Sequence, residues 1–220
     1  ESKQFPNIAE RRWAVDHCQI VHLDQIDRAK KLGLTFSCAP KYLYSGEKGG
    51  VGASKILYGE AEAADSVIPF RSMIDRGVPV VIQLDQHALH PFTAMQIVIN
   101  RKDMTGKVWG PKQAISRQEA LYAYTRWSSE YVLKEKEIGS IEPKKQADFV
   151  VLNRDFLTVP EDEIGRLDAV LTVMGGKITY SDPQFAASQS LPVAGYQADR
   201  SRWWRGTPDD AKKGGGGGGE

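Results

Sequence analysis

The chain has 220 residues, 41% of them hydrophobic and 26% charged, enough for one sizeable core with at most a small appendage. Lys plus Arg number 29 and Asp plus Glu 28, so the net charge of +1 argues against a basic nucleic-acid surface or an acidic tail. No run approaches the ~20 apolar residues of a membrane helix, and an N-terminal signal is not observable in a sequence that starts at Glu1 without Met.

Residues 12–23 open with a short apolar run that ends in Asp16-His17, which reads as a buried strand followed by a loop. Asp24 then caps a helix over residues 25–32, with Ile26, Ala29 and Leu32 on one face. Gly33 stops it in the left-handed conformation. Leu34 to Ser37 is a second apolar strand, ended by Pro40. The two cysteines, Cys18 and Cys38, form neither a zinc-finger pattern nor a disulfide framework. They read as buried free thiols, which fit a reducing compartment, and a cytoplasmic location is the favoured expectation.

The Gly-rich stretch from Ser45 to Gly52 has no GxxxxGK[ST] and no GxGxxG, so it reads as a flexible lid or surface loop and not a phosphate loop. Residues 69–76 form a helix with Pro69 in its first turn, Gly77 ends it, and Val78 to Leu84 leads to Asp85. Helix, glycine stop, apolar strand and polar tip thus recur, the pattern of a parallel sheet buried on both faces. In such sheets functional groups stand just past the C-terminal strand ends, where His17 and Asp85 are placed.

Ser116 to Glu119 is a capping box that opens a helix over residues 117–131, with Ala120, Leu121, Tyr124 and Ser128 inward. Residues 138–182 then read as a small β-rich unit, with a hairpin at Gly175-Gly176. Residues 183–220 are looser and end in six glycines, Gly214 to Gly219, which cannot pack and are expected to be disordered.

The order of these motifs resembles the C-terminal part of the amidohydrolase superfamily, in the branch called amidohydrolase family 3. Three segments carry the resemblance: Arg12 to Gly33; Pro69 to Asp85; and Ser116 to Tyr180, with Glu119-Ala120-Leu121, Gly139-Ser140-Ile141-Glu142-Pro143, Ala147-Asp148 and Thr172 to Lys177 in order. The resemblance implies an α/β fold: the C-terminal part of a (β/α)8 TIM-type barrel, about strands six to eight, over residues 1–137, and part of a small β-sandwich over 138–182. It implies a hydrolase of carbon–nitrogen bonds, such as amides or formamides, that uses one or two divalent metals, zinc first, to activate water. A small-molecule substrate is expected, with no nucleic-acid or membrane partner; oligomeric state is not legible.

In that resemblance His17 takes the strand-six metal position, and Asp85 the strand-eight position as metal ligand and proton-handling carboxylate. Each has a plainer reading, a hydrogen-bonded structural histidine and a loop cap. Lys41 and His87 are candidates to meet substrate, and His22 and His90 could line a pocket or be solvated loop residues. Arg12 is expected in a structural ion pair. The sequence departs from the family in having Gln83-Leu84 before Asp85, where small residues are usual, and Lys144 where a Gly is common. Lys there costs about 1 kcal/mol if the turn needs a positive φ. Nothing matches the first-strand His-x-His, the bridging Lys or the strand-five His, so the chain reads as a fragment of the enzyme. The alternative is a non-catalytic binding or regulatory protein that keeps the architecture.

Overall fold

The computed structural model describes residues 4–84 and 90–197. In chain order the elements are β1 (Ala14–His17), α1 (Leu23–Leu32), β2 (Thr35–Cys38), α2 (Lys41–Tyr44), α3 (Gly50–Tyr58), α4 (Glu60–Ser66), α5 (Phe70–Asp75), β3 (Val80–Ile82), α6 (Pro91–Asn100), α7 (Arg117–Tyr124), α8 (Arg126–Tyr131), β4 (Phe149–Leu152), β5 (Ala169–Met174), β6 (Lys177–Ser181) and α9 (Pro183–Gln189). Two sheets result: β1-β2-β3 is parallel and β4-β5-β6 antiparallel. The fold is therefore α/β with an antiparallel addition.

The parallel sheet follows from its sequence pattern. Thr35 to Cys38 and Val80 to Ile82 are buried throughout, as a strand covered on both faces must be. β1 is a strand as expected but is not buried as expected: all four of its residues are exposed. It is the open edge of the sheet, flanked by a groove of about 320 Å³ lined mainly by Val15, Ile20, Val21, Leu32, Leu34 and Phe36. α1 is capped at His22, two residues before the expected cap: the Gln25 carboxamide oxygen accepts from the His22 backbone N–H at 2.9 Å. Ile26 and Ala29 face the core as expected, and Gly33 ends the helix at φ 63°. A Cβ at Gly33 would press within 2.8 Å of the Ala9 carbonyl, so glycine is needed there for space as well as for its conformation.

The Gly-rich stretch is helical and not a loop. Gly46–Lys48 is a 3-10 turn and Gly50 opens α3. Its glycines serve close packing: side chains at Gly50 and Gly52 would run into the Tyr42 and Glu47 carbonyls. α6 starts at Pro91 and buries Thr93 through Ile99 in an unbroken run. The single helix expected over 117–131 breaks at Thr125 (φ −126°, ψ −82°) into α7 and α8. Ala120 and Ala123 face inward, whereas Leu121 is exposed.

The core is continuous from the parallel sheet to the later segment. Phe156, Val159, Ile164 and Leu167 bury with α6, and the Gly165 N–H donates to Gln96 Oε1 at 2.7 Å. Arg117 donates to the Phe156 and Val159 carbonyls. The β5–β6 hairpin turns at Gly175 (φ 55°) and Gly176 (φ 76°), the double left-handed geometry of a type I′ turn. Residues 183–189, expected to be loose, form α9, with Asp182 accepting from the Gln184 and Phe185 N–H groups. The glycine run lies outside the described residues. No helix among the described residues is long and apolar enough to cross a membrane.

Candidate functional site at the parallel strand ends

The three parallel strands end side by side. Register pairs His17 with Cys38 and Cys38 with Ile82, and the Gln83 N–H extends the pairing to the Cys38 carbonyl at 3.0 Å. His17 ends β1 at φ 67°. A non-glycine residue there is uncommon, histidine being among the residues that tolerate it, and such strain collects at functional sites. Its Nδ1 lies 3.2 Å from the Tyr42 hydroxyl, which α2 carries just beyond the end of β2. Lys41 opens α2, with its Nζ 5.2 Å from the Tyr42 ring centre.

Directly behind His17, Asp16 accepts from the Tyr131 hydroxyl at 2.9 Å. Asp16 and Ser37 are register partners and share a sheet face. Burial, together with donation to Asp16, holds the Tyr131 hydroxyl above its usual pKa, while a hydrogen bond with Ser37 pulls the other way. A three-residue polar chain thus ties α8 to the sheet one residue below the strand ends.

The cysteines are a correction. Cys18 and Cys38 are joined, with Cα atoms 4.9 Å apart, and are not free thiols. The register brings them together: Cys38 pairs with His17, and the chain turns at His17 to lay Cys18 across β2. Twenty residues of separation hid this in the sequence. The joined sulfurs also withdraw the thiol argument for a reducing compartment.

The other candidates scatter. His22 caps α1, with Nδ1 3.4 Å from Glu62 Oε2 and its ring 4.4 Å edge-on to Tyr58, so it braces α1 against the α3–α4 corner. His90 precedes α6, its ring 5.4 Å from that of Phe92. Arg12 makes the expected ion pair, to Glu135 at 2.8 Å, and donates to the Glu130 carbonyl. Asp85 and His87 lie outside the described residues. Among those described, no three His, Cys, Asp or Glu side chains come together to hold a metal. Of the two residues expected as ligands, His17 is the one among the described residues, and it stands at a strand end beside the Tyr42 hydroxyl. Sequence reasoning missed Tyr42 and Tyr131, because both act through contacts distant in the chain.

The fold is similar to part of solved metal-dependent hydrolases. An uncharacterized metal-dependent hydrolase from Pyrococcus horikoshii OT3 superimposes at a TM-score of 0.56 with 26% identity, over 67% of this chain and 30% of that one. One from Pyrococcus furiosus gives 0.52 and 25%, over 66% and 29%. The chain belongs to the amidohydrolase family: the model of amidohydrolase family 3 matches residues 2–180. It is similar to the N-substituted formamide deformylase of Arthrobacter pascens, with 28% identity over 169 residues, 76% of this chain and 30% of that protein. The chain thus spans about a third of the length of the curated relatives it matches.

Proposed function

We propose that this chain is the C-terminal part of a longer metal-dependent hydrolase of non-peptide carbon–nitrogen bonds, with a small amide or formamide as substrate. In this reading β1, β2 and β3 are strands six to eight of a (β/α)8 barrel over residues 1–137, and residues 138–182 are a share of a β-sandwich. The observation that carries the reading is His17, set at a parallel strand end with strained φ and its Nδ1 at a hydroxyl. The fully exposed β1 edge supports it, since a strand of the remaining polypeptide would cover it.

His17 and Asp85 would hold the metal, and histidine with carboxylate suits zinc. When bound, the metal supplies water ionised near neutral pH. The residues of this chain do the rest. Asp85 takes a proton from the nucleophile and delivers it to the leaving nitrogen, and Lys41 and His87 contact the substrate. The test is Asp85→Asn in the longer protein, assayed by release of formate from N-substituted formamides. Loss of a proton-transfer group lowers kcat by about 10²- to 10⁴-fold. Unchanged kcat would remove Asp85 from the chemistry.

A further inference from the structure

We propose that Tyr42 is a positioning residue for His17: its hydroxyl accepts the His17 Nδ1–H, so that the neutral ring keeps its lone pair on Nε2. This rests on the reading of His17 as a metal ligand. The 3.2 Å separation places Tyr42 Oη within hydrogen-bonding reach of Nδ1. A neutral imidazole carries one N–H, and the nitrogen engaged as donor leaves the other as the one able to coordinate.

The packing of α2 makes the hydroxyl a fixed reference. Leu43, next in the chain, is fully buried, and the Tyr42 ring packs on the same core. Gly50 lies against the Tyr42 carbonyl and Cβ, so closely that no Cβ fits between them. On the other side, the joined Cys18 and Cys38 hold the β1 end against β2. The ring of His17 is therefore set between two constrained segments, and Tyr42 sets its hydroxyl beside the His17 Nδ1. A partner on the second ring nitrogen of a ligating histidine fixes both tautomer and ring orientation, and removing such partners typically weakens metal binding 10- to 100-fold.

Two measurements test this. In the longer protein with ¹⁵N-labelled histidine and the metal removed, long-range proton–nitrogen correlation should find His17 protonated on Nδ1, and Tyr42→Phe should move population to the Nε2–H form. In the longer protein, zinc(II) affinity by chelator competition should fall about 10- to 100-fold in Tyr42→Phe, and Tyr42→Phe should add nothing once His17→Ala is present. Additive losses, an unchanged affinity in Tyr42→Phe while His17→Ala weakens binding, or a His17 proton already on Nε2 would each overturn the role of Tyr42. If His17→Ala leaves zinc affinity unchanged, the ligand reading of His17 fails instead, and the tautomer result tells the two failures apart.

Discussion

Among the described residues, Arg101 is the largest fully buried side chain. Three carbonyls hold it: Trp109, Ile68 and Val67 accept from its guanidinium at 2.9–3.0 Å. Burial pulls its pKa down to about 9, still well above neutrality, so it is charged under ordinary conditions. Arg101→Ala would strand those carbonyls and is expected to cost 3 kcal/mol or more in urea unfolding. A loss below 1 kcal/mol would contradict that account. Asp103 works in the opposite sense. Burial pushes its carboxyl pKa up, but hydrogen bonds from the Thr105 side chain, the Trp109 indole and the Thr105 and Lys107 backbone outweigh it and hold the carboxyl below its usual range. A depressed folded-state pKa contributes stability that is present above the unfolded value and lost as pH falls through the folded one. Stability should therefore decline below about pH 4, and Asp103→Asn should flatten that decline. An identical acid profile in the variant would exclude Asp103 as its source. The cysteines give a direct chemical check: denatured without reductant, neither Cys18 nor Cys38 should react with iodoacetamide, and both should after reduction. Reaction of both before reduction would contradict the bond. A loop of this size closed by a disulfide stabilises by about 3 kcal/mol.

At the scale of elements, the periodic and punctuated segments were legible and the cross-chain ones were not. β2 and β3, the strand character but not the expected burial of β1, α1 with its Gly33 stop, the capping box at Ser116 and the Gly175-Gly176 hairpin all rest on local patterns, and local physics decides them. The glycines of residues 45–52 misled because composition does not separate a glycine needed for flexibility from one needed for contact. Leu121 misled: Ala120 and Ala123 face the core on α7, and Leu121 lies outside that buried face. Lys144 was read correctly: it takes φ 75° in its turn. Lys144→Gly should therefore raise stability by up to about 1 kcal/mol, a Tm rise of about 2–4 °C in a chain of this size. No rise would mean the strain is relieved elsewhere. Tyr131 links α8 to β1 through Asp16, 115 residues away, and no sequence pattern announces such a pair. Tyr131→Phe should cost about 1 kcal/mol in stability while leaving secondary structure unchanged by circular dichroism.

At the scale of the whole molecule, the family was legible because several short motifs recur in fixed order, whereas the centre itself was only partly so. His17 is the one expected ligand that the described residues contain, and the hydroxyl beside its Nδ1, that of Tyr42, comes from the next strand–helix unit. The open β1 edge and its apolar groove mean that three parallel strands cannot close on themselves, so the isolated chain is expected to be poorly soluble or inactive. The most direct measurement is divalent metal content of the longer protein, purified without chelator, as wild type and as His17→Ala. The account expects at least one zinc-class ion per chain in the wild type and a clear loss in the variant, with unfolding temperature measured alongside. A metal-free wild type, or equal metal in His17→Ala, would contradict it and favour a binding protein that keeps the amidohydrolase architecture.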